Sequence, residues 1–338
     1  MRLELGKTQK ITTVTKNLWQ LGVLPILALG SLAGLLGVYW DIAWHIDKGR
    51  DTFFSLPHNF IYAFMLIVLV MSLYGLLQDR RMTPFHISLG KTRLNPGILI
   101  VAVGAGLVLF FAPADDLWHR LYGADITLWG PMHLVGLLGF TTATFGGLLS
   151  SWLESSLSAS RKFKLTTLVF ATILLGWTML YLAEYEYNIP PFPIFWHSLL
   201  LIGLPTFTLV LIAKLNPVSW SATITGLLFT LFRLLLSAWL TMTSSLDLAG
   251  ESRPLIPILI FSGLVADVLI RRKAPLWLTG LLVGLTSFLV NYPVILLQEQ
   301  YNWYHTALFI GVPLGLGLSI TLAYLGNATA SALPSKKI

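Results

Sequence analysis

Four of the seven histidines in this 338-residue chain fall in one repeated pattern. The first copy reads Asp41-Ile-Ala-Trp44-His45, continues to Gly49 and Asp51, and closes on Pro57-His58. The second reads Asp115-Asp-Leu-Trp118-His119, continues to Gly123 and Asp125, and closes on Pro131-Met-His133. Five positions (Asp, Trp, His, Gly, Asp) match in register at an offset of 74 residues. An aspartate and a histidine four apart on a helix share one face, one turn apart. A proline suits the first turn of a helix, so His58 and His133 are expected to open helices that run back beside the ones just finished. A tight hairpin then brings one carboxylate and two imidazoles to a point. That is a three-ligand metal set with coordination positions left open. Asp41, His45 and His58 make one such set and Asp115, His119 and His133 the other, spaced 4 and 13 in the first and 4 and 14 in the second. Trp44 and Trp118 suit interfacial anchors, and Gly49 and Gly123 permit a turn. Asp51 and Asp125 suit support of the ligands or helix capping. The bland alternative is that polar residues and lone histidines beside tryptophan are common where helices leave a membrane; the recurrence in register is what weighs against it.

Other chemistry is thin. Glu184 and His197 are also thirteen apart with Pro193 between them, a weak echo without a tryptophan–histidine pair. His305 follows Trp303 and Tyr304 and reads as interfacial, and His86 lies in a basic loop. The chain has no cysteine, which excludes disulfides, thiolate metal sites and a cysteine nucleophile. It contains no phosphate loop, dinucleotide fingerprint or hydrolase elbow. The histidines are paired with carboxylates, which argues against bis-histidine haem.

The elements that must position these residues are membrane helices. Hydrophobic residues make up 55% of the chain and charged ones only 11%, and the mean hydropathy is +0.75. A soluble domain carries about 25% charged residues, so most of this surface must face lipid. Ten apolar segments are expected to span, at about 19–40, 57–77, 97–114, 130–152, 165–183, 196–213, 219–243, 254–270, 275–297 and 303–326. Basic residues cluster in alternate loops: the N-terminal tail, 78–96, 153–164, Lys214, 271–273 and Lys336–Lys337 hold 17 of the 22 lysines and arginines. The positive-inside rule puts those loops, and both termini, in the cytoplasm. The net charge of +7 is therefore a matter of topology and not of nucleic-acid binding. The basic tail before the first span reads as retained and not as a cleaved signal peptide. Gly104, Gly106, Gly136, Gly139, Gly146 and Gly147 are expected to let helices pack closely. Arg233 lies inside the seventh span, roughly 15 Å from its outer end at the helical rise. A charge that deep calls for snorkelling or an internal ion pair, with a functional role the sharper alternative. The fold class is thus an all-α polytopic bundle of about ten spans. Residues 1–152 carry two duplicated hairpins in parallel orientation and residues 153–338 carry further spans, all in one membrane domain.

The stretch from Asp41-x-x-Trp-His45 through Arg50-Asp51-Thr52-x-Phe54 to Pro57-His58 resembles the metal-binding segment of the C subunit of membrane-bound copper monooxygenases, the family of particulate methane monooxygenase and ammonia monooxygenase. The likeness covers about residues 35–140. That subunit has an Asp, His, His copper site, which would fall on Asp41, His45 and His58. A neighbouring Asn, His, His site would fall on Asp115, His119 and His133, with aspartate here in place of asparagine. The added carboxylate hardens the site towards Cu(II), zinc or iron. The resemblance implies copper as cofactor, dioxygen as oxidant, a small apolar substrate or ammonia, and partner subunits of a membrane oxygenase. A prokaryotic inner membrane is the expected location, and the charge alternation of the loops puts the sites near its outer face. Two other readings stay open: a copper- or zinc-handling membrane protein, and a non-catalytic subunit of a larger complex.

Overall fold

The sites hang on two hairpins of long helices. In the computed structural model, which describes residues 16–49, 52–79, 87–89, 92–123, 127–158, 160–187, 189, 194–248, 251–298 and 305–333, α1 (Val23–Lys48) returns as α2 (Leu56–Gln78), and α3 (Pro96–Tyr122) returns as α4 (Pro131–Leu157). Between them stands a short antiparallel hairpin, β1 (Ile87–Leu89) and β2 (Thr92–Leu94), with Ile87 opposite Leu94; it adds a scrap of sheet to an otherwise helical chain. Then follow α5 (Arg161–Met179), a single turn α6 (Ala183–Glu186), α7 (Ile194–Gly203), α8 (Pro205–Leu215), α9 (Ser221–Ser245), α10 (Ile260–Arg271), α11 (Leu276–Leu297) and α12 (Val312–Ala332). Prolines begin α3, α4 and α8 and stand second in α2 and α12, where a missing N–H costs nothing. Ser55 and Asn95 cap α2 and α3 by accepting from His58 N and Ile98 N.

Among the described residues, nine helical segments are long and apolar enough to cross a membrane. Nine of the ten expected segments match them. The eighth, 254–270, is different: its first part is non-helical as far as Leu259, and only Ile260–Arg271 is helical. Pro254 and Pro257 explain the break, because each removes a donor and forces its predecessor out of the helical region. Backbone without a helix must be satisfied some other way at such depth. Here side chains do much of it. Ile258 N donates to Asn291 Oδ1 at 2.7 Å, and Asn291 Nδ2 returns a bond to Ile258 O at 3.1 Å. Ile256 N reaches Gln298 Oε1 and Leu259 N reaches Thr230 Oγ1. Leu255 N donates to the backbone of Glu186.

Arg233 is an internal ion pair. It is fully buried on α9, 2.7 Å from Glu186 Oε2 and fully buried with it. It also donates to Tyr39 Oη and Leu255 O and stacks on the Tyr39 ring at 4.5 Å. Tyr187 Oη closes the cluster on Tyr39 O at 2.9 Å.

The expected glycines pack the second hairpin closely, with one correction. A Cβ on Gly104 would stand 2.4 Å from Ala143 N, and one on Gly146 would stand 2.6 Å from Gly97 O, so α3 and α4 meet backbone to backbone. Gly139 faces Gly104, Gly136 faces the Phe111 ring and Gly147 the Phe170 ring. Gly106, in contrast, has nothing within 4 Å of a Cβ position and is no packing glycine.

Candidate metal centres

Each hairpin tip gathers its three candidate ligand residues. Asp41 and His45 sit on the last turns of α1, and His58 sits in the first turn of α2. His58 Nε2 is 3.2 Å from Asp41 Oδ1, His45 Nε2 is 3.6 Å from the same oxygen, and the two Nε2 atoms are 3.5 Å apart. In the second hairpin His119 Nε2 is 3.1 Å from Asp115 Oδ2 and His133 Nε2 is 3.5 Å from Asp115 Oδ1. The imidazole pairs match as well, with centroids 5.5 Å apart at 44° in the first and 5.6 Å at 46° in the second. Within each set the three ligand atoms lie within 4.8 Å of one another.

The turns repeat too. Gly49 ends α1 at φ 78°, ψ −172°, and Gly123 ends α3 at φ 91°, ψ 177°. A side chain at that positive φ would be strained, which is why glycine stands at both positions. His58 Nδ1 lies 3.2 Å from Thr52 O, and His133 Nδ1 lies 2.9 Å from Thr127 O, each six residues back. Asp51 and Asp125 lie outside the described residues. Trp44 lies under the Lys48 ammonium at 5.7 Å and Trp118 packs on Tyr122, so both sit beside the ligands.

These contacts decide which nitrogen faces inward. A carbonyl oxygen only accepts, so Nδ1 of His58 and His133 carries the proton, and likewise Nδ1 of His119, 3.3 Å from Gly123 O. In the neutral ring this leaves an Nε2 lone pair aimed at the aspartate. Asp41 Oδ1 and Asp115 Oδ1 are themselves buried and accept no well-formed hydrogen bond. One carboxylate and two imidazole Nε2 atoms thus meet at each tip, and one bound metal ion would engage all three at once. Ligands bound at 2.0–2.1 Å around a tetrahedral metal stand roughly 3.3–3.4 Å apart, and the gaps of 3.1–3.6 Å bracket that value. The residues present therefore fit a metal ion with N₂O ligation and at least one open position. The carbonyls that orient the rings, Thr52, Gly123 and Thr127, escape a motif search because any residue supplies a carbonyl.

Among the described residues these are the two groups of this kind. The Glu184–His197 echo does not join them. Glu184 accepts from Leu128 N and from Thr127 Oγ1, while His197 is buried and stacks on Tyr185 at 6.1 Å. Pro193 lies outside the described residues.

No protein-family model matches the chain, and no curated protein and no solved structure matches it.

Proposed function

We propose that this integral membrane protein is a metalloprotein with two mononuclear centres, Asp41–His45–His58 and Asp115–His119–His133, built on an internally duplicated hairpin. The observation that carries the reading is the convergence of one carboxylate and two imidazole nitrogens at each hairpin tip, with a carbonyl oxygen taking the Nδ1 proton of the returning histidine. We further propose copper as the resident metal. Affinity for an N,O site peaks at copper among the divalent first-row ions, and the short likeness to the copper monooxygenase C subunit points the same way; zinc and iron are the competing ligand-compatible ions. When bound, such a metal offers open positions to water or dioxygen. The activity that fits is oxidation of a small apolar substrate or ammonia, by this chain alone or with partner subunits. A carrier would need ligands through the membrane depth; both groups lie at helix ends.

Metal analysis of the purified protein tests this. Two copper ions per chain are expected, one after His45→Ala with His58→Ala, and one after His119→Ala with His133→Ala, each without unfolding. Substrate-dependent dioxygen consumption should vanish in at least one of the two variants. A wild-type protein that binds no transition metal, or metal content unchanged in both double variants, overturns the metal centres; metal without dioxygen consumption by the purified chain, reductant and substrate supplied, overturns oxygenation by this chain alone.

A further inference from the structure

Glu184 belongs to neither ligand set, yet it reaches one of them. The chain leaves α5 through a tightened turn, Leu180–Leu182, and the single turn α6 then presents Glu184 to the start of α4. Glu184 is 4% exposed. Leu128 N donates to Oε1 and Thr127 Oγ1 donates to Oε2 at 3.1 Å. Trp129 N in turn donates to Thr127 Oγ1 at 3.0 Å, so the threonine hydroxyl is held from both sides. The same residue offers its carbonyl to His133 Nδ1 at 2.9 Å. A chain of contacts thus runs from Glu184 through Thr127 to His133 and Asp115. Two residues on, Glu186 is clamped by Arg233, which anchors the turn that carries Glu184.

The first hairpin makes the comparison sharp. Thr52 plays the part of Thr127, and its carbonyl also takes a turn bond, from Ser55 N at 3.0 Å, as Thr127 O does from Gly130 N at 3.2 Å. Among the described residues no carboxylate holds Thr52 or Phe53 as Glu184 holds Thr127 and Leu128. A buried carboxylate is costly unless its oxygens are hydrogen-bonded, so a glutamate placed there implies that the loop it grips is worth fixing.

We propose that Glu184 is a positioning residue which preorganises His133 and makes the Asp115–His119–His133 centre the tighter and first-filled of the two; this rests on the metal-centre reading above. Partners that orient a ligand from outside typically contribute 10–100-fold in metal affinity. The test is copper titration of the metal-free full chain, read by Cu(II) paramagnetic resonance, in the His45→Ala/His58→Ala background, where only the second centre remains. Glu184→Ala should weaken that centre by about 10–100-fold. Glu184→Gln keeps one of the two accepted bonds and should fall between. Thr127→Val deletes the hydroxyl, keeps the carbonyl on His133, and should weaken binding in the same direction; it serves as the second arm should Glu184→Ala not fold. In the complementary His119→Ala/His133→Ala background, Glu184→Ala should leave copper binding at the first centre unchanged. Wild-type affinity in both Glu184→Ala and Thr127→Val, or equal weakening of the two centres by Glu184→Ala, overturns the proposal while leaving the metal centres standing. A wild-type chain that takes up no copper, zinc or iron overturns both together.

Discussion

The two hairpins present the same candidate ligands on different supports. The first is tied outward. Tyr39 on α1 receives Arg233 of α9, Trp40 Nε1 donates to Leu248 O at 2.7 Å, Asp47 accepts from Ser252 N and Oγ at 2.8 Å, and Lys48 pairs with Asp247. Its helices meet through side chains: a Cβ on Gly37 would press on the rings and methyls of Phe60 and Ile61. The second hairpin is tied inward, through glycines that bring α3 and α4 into backbone contact, with Glu184 added from the next span. The burial follows. The difference falls on one ligand pair: His45 is 34% exposed and its counterpart His119 only 10%, whereas His58 and His133 are 22% and 25% exposed. Two ligand sets of the same composition can therefore differ in stiffness, because orientation is set by what grips the helices and not by the ligands.

This contrast can be broken from either side. The largest effect is expected at Arg233. Arg233→Ala leaves Glu186 buried without its counter-charge and removes the stacking partner of Tyr39, a loss of about 3–5 kcal/mol for a broken buried pair. A large fall in thermal midpoint, with metal lost first from the Asp41 centre, is the expected result. An unchanged midpoint would show that the first hairpin does not lean on this cluster. Gly104→Ala should cost less, about 1–3 kcal/mol of overpacking, because its methyl meets the immovable backbone of Gly139 and Ala143. That damage should fall on the Asp115 centre, while Gly106→Ala, facing open space, serves as a control without effect. Equal behaviour of the two alanine variants in thermal unfolding would refute the inward-tied interface. The mildest test leaves stability alone. Cysteines introduced singly at the exposed Phe54, Leu121 and Lys273 are unique in this cysteine-free chain. An impermeant maleimide should label the first two on intact cells and the third only after lysis. If Phe54→Cys and Leu121→Cys label from opposite sides, the hairpins are inverted and not parallel repeats.

Much of the site was legible because it is local. Asp41 to His45 and Asp115 to His119 are single helical turns, and a proline–histidine start after a glycine turn returns the third ligand within 13 or 14 residues. Helical period and a short loop determine such a meeting with little help from the rest of the chain. The membrane class was equally legible, since composition alone leaves lipid as the only solvent for this surface. Contacts between distant residues were not. Arg233 and Tyr39 are 194 positions apart, and Leu128 and Glu184 are 56 apart. A buried arginine announces that it needs a partner, but any of several acidic or aromatic residues would have served. Glu184 looked like a fragment of a third ligand set because its spacing to His197 imitates the others; the tightened turn after α5 aims it at Thr127 instead. Pro254 and Pro257 were visible, yet an apolar run reads as a helix until Asn291, Gln298 and Thr230 are seen to take up the non-helical backbone. Gly104 and Gly106 look alike in sequence and differ only in which side of α3 meets α4. Sequence specifies the ligands through spacings of a turn or a hairpin; how firmly they are held depends on side chains from other helices, whose arrival only packing decides.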